Sequence, residues 1–296
     1  MKKAFFAALL VVLLAFSGCA AEQNAQVVAT TKPVYDLTVA LCQGTGLRVD
    51  RLVTENLSCL HDYTLQVRQM RAIEAAQTVV LSGAGLEEFL EDALAGAKNT
   101  VDASAGIELL CSEEDPAHDH SHDHDHDGHH HTQDPHIWLS IKNARAMAQN
   151  ICAGLSEQYP GCAQKLSENL QVLDRRFTEL EDYGRAALSE LSCRQIVTFH
   201  DGFSYFAQEW DLEILRAVEE ESGSEASAAE LKELITLVRE HSLPAIFVEE
   251  NGSTSASGIV ARDTGVRVGK LTMCMAEQDY FEAMRQNIDA IKEALQ

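Results

Sequence analysis

The run Thr78-Val79-Val80-Leu81-Ser82 is apolar through its centre, with no polar residue alternating in. A strand of that kind is buried on both faces, as in a parallel sheet covered by helices. Its surroundings fit. Residues 65–76 before it and 86–94 after it have helical period. Further upstream, 27–30 and 49–53 read as strands, and the helical stretch 34–42 between them follows Pro33. This βαβα alternation predicts a parallel sheet flanked by helices.

The second half repeats the pattern. Strands are expected at 195–199, 245–249 and 267–271, and helices at 205–209, 228–240, 255–264 and 280–295. Between the halves, a helix over 142–158 ends at Pro160-Gly161. Residues 163–191 then run without proline, with Leu166, Leu170, Leu173, Phe177, Leu180 and Tyr183 at helical spacing. The expected fold is α/β, with two lobes, each a mostly parallel sheet flanked by helices. One long helix links them. The boundaries expected are a signal peptide at 1–18, an N-terminal lobe at 19–162, a linking helix at 163–191 and a C-terminal lobe at 192–296. Ligands of such sheets sit at the carboxyl ends of the strands.

The N-terminus reads as a processing segment. Lys2 and Lys3 precede an apolar run, 4–16, too short to span a membrane comfortably. The segment ends in Phe16-Ser17-Gly18-Cys19, similar to a bacterial lipobox with Phe where Leu is usual. On that reading Cys19 is the lipidated first residue of an exported protein, anchored to the outer face of the cytoplasmic membrane or facing the periplasm. An ordinary secretory signal is the alternative, and it also exports the chain. The formal charge is −23, and removing residues 1–18, with two Lys and no acid, makes it −25. Such an acidic chain is a poor partner for nucleic acid and suits cations. Seven cysteines follow Cys19, an odd number with no zinc-ribbon spacing, so connectivity stays open.

Histidine carries the chemistry. Eight of twelve fall within 118–131: His118, His120, His122, His124, His126, His129, His130 and His131, interleaved with Asp. Imidazole is the commonest protein ligand for zinc, and carboxylate is an acceptable co-ligand. The tract cannot build a core and is expected to be a metal-contacting loop, His-rich loop 118–131. Of the other four, His61, His136 and His200 each lie after a strand or before a helix, where binding residues collect. Three convergent imidazoles would favour zinc over calcium or magnesium. His241 reads as a residue capping a helix end.

Several segments taken in order resemble a known family: His61-Asp62-Tyr63, the His-rich loop followed by Asp134-Pro135-His136-Ile137-Trp138-Leu139-Ser140, and Thr198-Phe199-His200-Asp201-Gly202-Phe203-Ser204-Tyr205-Phe206. Two more are Glu225-Ala226-Ser227-Ala228-Ala229-Glu230-Leu231 and Ile246-Phe247-Val248-Glu249-Glu250-Asn251. The chain resembles the metal-binding lipoproteins of bacterial ABC importers for zinc and manganese, the cluster A-I substrate-binding proteins. The resemblance covers nearly all of the mature chain. It implies a rigid helix between two lobes, metal in the cleft between them, and His61, His136 and His200 as ligands. Histidine at the third position and a long His/Asp loop are the zinc-like choices; Glu there resembles the manganese-type members. The implied partners are zinc, an ABC permease with its ATPase, and a membrane reached through Cys19. The implied state is a monomer.

The chain departs from the family at the fourth ligand. Where many members carry Asp, Leu271-Thr272-Met273-Cys274-Met275 has Thr. Water, Glu249, Cys274 or a residue of the His-rich loop then completes the tetrahedron, and a thiolate would release metal slowly. The expected function is extracytoplasmic zinc capture and delivery to a permease. The alternatives are manganese or another transition metal, an adhesin or storage protein of the same fold, and a zinc hydrolase using Glu249 or Glu250 as base. No HExxH motif is present to support the last.

Overall fold

The computed structural model describes residues 25–55, 63–111, 133–218 and 226–296. The chain opens with β1 (Val27–Ala29), α1 (Lys32–Cys42), β2 (Val49–Arg51), α2 (Val67–Ala75) and β3 (Thr78–Leu81). A 3-10 turn at Glu88–Leu90, the short α3 (Glu91–Leu94) and β4 (Thr100–Asp102) follow. After a 3-10 turn at Ile137–Leu139 come α4 (Ile141–Gln158), another such turn at Pro160–Cys162, and α5 (Ala163–Ala187). The second half runs β5 (Gln195–Phe199), α6 (Ser204–Glu209), β6 (Glu213–Ala217), α7 (Ala228–Glu240), β7 (Ala245–Glu249), α8 (Ser255–Thr264), β8 (Arg267–Leu271) and α9 (Tyr280–Leu295).

Each half builds one four-stranded sheet, all parallel, in the orders β2-β1-β3-β4 and β6-β5-β7-β8. The two orders are the same. In each, the chain reverses direction across the sheet between the two central strands, so a crevice opens beyond the carboxyl ends of β1 and β3, and of β5 and β7. Those central strands are buried on both faces, as their continuous apolar sequences require.

Local sequence explains the helix ends. Ser227 accepts from Glu230 N–H at 3.2 Å while the Glu230 carboxylate accepts from Ser227 N–H at 2.7 Å, a capping box that starts α7. α8 stops at Gly265, whose φ of +80° suits glycine. His241 caps the end of α7 as expected, with its Nδ1 3.0 Å from Gln195 Oε1.

One apolar cluster runs through both halves, from Leu37 of α1 through Ile151 of α4 and Phe177 of α5 to Phe247 and Ile288. Smaller clusters cover the opposite faces, with Ile73 and Val79 in the first half and Val197 and Ile246 in the second. Truncating a fully buried member such as Ile151 to Ala costs about 2–5 kcal/mol. α5 runs 25 residues and packs on α1, α4 and α9. Gly184 makes room for Trp210, at the end of α6, because a Cβ there would lie 2.2 Å from the Trp210 ring.

Three expectations need correction. The helix expected over 163–191 ends at Ala187, because Arg194 donates to Leu188 O at 3.1 Å and Ser192 N–H donates to Leu295 O at 3.0 Å, turning the chain toward β5. The helix expected over 86–94 divides into a 3-10 turn and α3. Strands β4 and β6 were not anticipated from the sequence at all. Six described cysteines, Cys42, Cys111, Cys152, Cys162, Cys193 and Cys274, are free thiols, and Cys59 lies outside the described residues. Among the described residues no helix is long and apolar enough to cross a membrane. The signal segment and Cys19 lie outside them.

Candidate metal centre

His136 and His200 come from different halves and meet. Their ring centroids are 5.4 Å apart, with the planes at 80°. His200 directly follows β5, at the crevice of the second sheet. Gly202 makes room for its ring: a Cβ there would lie 2.8 Å from His200 Cδ2 and 2.7 Å from the Met273 methyl.

His136 precedes the 3-10 turn at Ile137–Leu139 and is 5% exposed. Asp134 Oδ1 accepts its backbone N–H at 2.9 Å and lies 2.8 Å from its Nδ1. A carboxylate can only accept, so Nδ1 carries the proton and Nε2 keeps the lone pair a metal needs. The Trp138 ring stands edge-on to His136 at 5.4 Å. Trp138 is fixed in turn from the second half: its indole N–H donates to Met273 O at 2.8 Å, and Tyr280 O–H donates to its carbonyl at 2.8 Å.

Glu249 ends β7, beside β5 in the sheet. Its Oε2 is 4.0 Å from His200 Nδ1, and burial pushes its carboxyl up to about 7. Thr272, at the position where the chain departs from the family, and the candidate Cys274 are both engaged in the fold. Thr272 accepts from Cys274 N–H at 3.1 Å through its hydroxyl, and Asn287 holds its backbone N–H and C=O at 2.7 and 2.8 Å. Cys274 is fully enclosed, and burial pushes its thiol far above the usual range, so it stays neutral.

Of the residues singled out in the sequence, the structure therefore sets His200 beside His136 and, separately, beside Glu249. His61 and the whole of His-rich loop 118–131 lie outside the described residues. Among the described residues, no three His, Cys, Asp or Glu side chains come together closely enough to hold a metal ion. Sequence reasoning named Asp134 only as part of a motif. Its spacing two residues before His136, across a proline, is the signal that marks it as a partner for Nδ1.

The family model described as "Zinc-uptake complex component A periplasmic" matches residues 27–294. The zinc-binding protein AdcA of Streptococcus pyogenes is 28% identical over 292 residues, covering 92% of this chain and 56% of that relative. This chain thus spans about half the length of that relative. A crystal structure of ZnuA superposes with a TM-score of 0.79 at 28% identity, covering 92% of this chain and all of that one. FpvC of Pseudomonas aeruginosa, solved in complex with Mn2+, gives 0.78 at 23% identity over 92% of this chain and 98% of that one, a likeness of fold alone. With the same strand order in both sheets, a long helix between them and a match running from β1 to α9, the chain belongs to the ZnuA family.

Proposed function

We propose that this protein captures zinc outside the cytoplasm and hands it to an ABC permease. The observation that carries the reading is the meeting of His136 and His200 across the two halves, with the Asp134 carboxylate behind the Nδ1 of His136. Such backing orients a ligand imidazole and raises its basicity. His61 is the third ligand, and Glu249 or water completes the tetrahedron. Nitrogen-rich donors favour zinc over the hard cations, and three imidazoles in place of a carboxylate-rich set favour it over manganese. The His-rich loop is an accessory that binds zinc weakly and raises its concentration near the cleft. Cys19 is the lipid anchor. The lobes run 19–162 and 192–296, and the protein works as a monomer without catalytic turnover, with the permease and its ATPase as partners.

The test is a competition titration with a chromophoric chelator on the full chain. One zinc should bind tightly, manganese much more weakly. Loss of His136 or His200 should abolish the tight site, whereas deleting 118–131 should leave it. Equal affinity for manganese would overturn the choice of metal. A tight site that survives both histidine substitutions would overturn the site.

A further inference from the structure

Tyr205 belongs to α6 in the second half, yet among the described residues its hydroxyl bonds to backbone of the first. It accepts from Leu110 N–H at 2.9 Å and donates to Asp134 C=O at 3.0 Å. Those two segments are also joined to each other. Asp134 N–H donates to Leu110 O at 2.9 Å, and Cys111 pairs with Gln133 in an antiparallel bridge. Cys111 and Gln133 are the residues that flank 112–132, so one buried phenol oxygen fixes the chain on both sides of that segment. From Asp134 the link continues: its Oδ1 holds both the backbone N–H and the Nδ1 of His136.

We infer that Tyr205 and Asp134 are positioning residues for His136: the phenol sets the Asp134 backbone, and the Asp134 carboxylate sets the ring's tautomer and aim. This rests on reading His136 as a metal ligand. The chemistry follows from the inventory of donors. A neutral imidazole has one N–H and one lone pair, and the carboxylate at Nδ1 assigns the lone pair to Nε2. Asp134 can do so only if its backbone is held. Tyr205 holds it from α6, the helix that begins four residues after His200. Both histidines are therefore referred to the same element, although 63 residues separate them in the chain. Tyr205, Asp134 and His136 are all buried, so water does not substitute readily for a lost partner.

Long-range 1H–15N correlation of the metal-free, 15N-labelled full chain reads the tautomer directly, with His136 assigned by its loss in H136A. Wild type should show protonated Nδ1. D134A should populate the Nε2-protonated form and weaken zinc binding by about 10–100-fold. D134N, whose amide oxygen still accepts, should restore the tautomer and most of the affinity. Y205F keeps the ring packing, loses both hydrogen bonds, and should split the His136 signals and weaken zinc by about tenfold. An unchanged tautomer in D134A, or a Y205F variant with wild-type signals and affinity, would overturn the inference. If D134A fails to fold by circular dichroism, D134N and Y205F decide it by the same two readouts. Full zinc affinity in H136A would instead sink the ligand assignment, and the tautomer data would still judge the Asp134–His136 pairing by itself.

Discussion

The two sheets have the same strand order, and each keeps a buried carboxylate beyond the carboxyl ends of its central strands. In the first, Glu87 takes a hydrogen bond from the Thr30 hydroxyl at 2.5 Å and from the N–H groups of Ser82 and Gly83 at 2.7 and 3.0 Å. In the second, Glu249 faces His200 at 4.0 Å. Burial lifts both to about 7. At Glu87 three donors work against that rise, whereas at Glu249 burial acts alone. The same topology thus yields one corner whose carboxylate is bonded to its own loop and one whose carboxylate faces the His200 imidazole. Repeating a fold does not repeat a site; the side chains at the strand ends decide which crevice binds.

The strongest way to break this contrast is to exchange the roles by mutation. His200→Ala removes an imidazole from the second crevice and should weaken zinc by more than about 100-fold, since partners one step further from a metal already cost 10–100-fold. Glu87→Gln, in the first crevice, should leave zinc affinity within about threefold. Both are read by the same chelator competition. A large loss in E87Q with a small one in H200A would place the binding crevice in the wrong sheet.

Glu87 has a stability signature instead. Its folded carboxyl is raised from 4.5 to about 7, so the folded state holds a proton that the unfolded state has released between those values. Its contribution is fully present below pH 4.5 and is lost as pH rises to about 7. The loss amounts to about 3 kcal/mol. Urea unfolding of wild type and E87Q across pH 4.5–7.5 isolates it: the stability difference between the two should shift by that amount against wild type. A constant difference would mean that Glu87 does not titrate in this window.

Gly202 tests how closely the second crevice is fitted. Gly202→Ala adds a carbon 2.8 Å from the His200 ring and 2.7 Å from the Met273 methyl. The methyl can swing aside, but the ring cannot do so without moving its nitrogens. Zinc affinity should fall by about tenfold, a shift of roughly 1.4 kcal/mol. Unchanged affinity would show that the ring tolerates displacement.

What could be read from sequence divides along the same physical lines. The strand Gln195–Phe199 and most later elements had the expected bounds, with α6 starting one residue early at Ser204, because long apolar runs and caps such as Ser227 and Gly265 leave little choice. Strands β4 and β6 escaped because Thr100-Val101-Asp102 has a single apolar residue, and in Glu213–Ala217 the charged Glu213 and Arg216 break up the apolar run. His136 and His200 were legible from their places beside strand and helix ends. The contact between them was not, because it depends on how two halves of the chain dock. Tyr205 lies in the motif that carries His200, but its hydrogen bonds to Leu110 and Asp134 span 95 and 71 residues, a distance no local pattern encodes.

The smallest expected effect concerns the position where the chain departs from its family. Thr272 and Cys274 lie beside the second crevice, and a thiol there is a tempting zinc ligand. Its neighbours argue otherwise. Cys274 is held at φ +59° by a turn in which Thr272 accepts its N–H, and burial keeps the thiol protonated. A protonated thiol does not bind zinc, and forcing it to ionise would place a charge in a closed apolar site. Cys274→Ser should therefore change zinc affinity by less than about threefold, while destabilising the fold by about 1–3 kcal/mol through its buried hydroxyl. Cobalt substitution gives a second readout, since a thiolate ligand adds an intense near-ultraviolet charge-transfer band. Such a band in wild type, lost in C274S, would make the sulfur a ligand and would move the fourth position from Glu249 or water to the turn after β8.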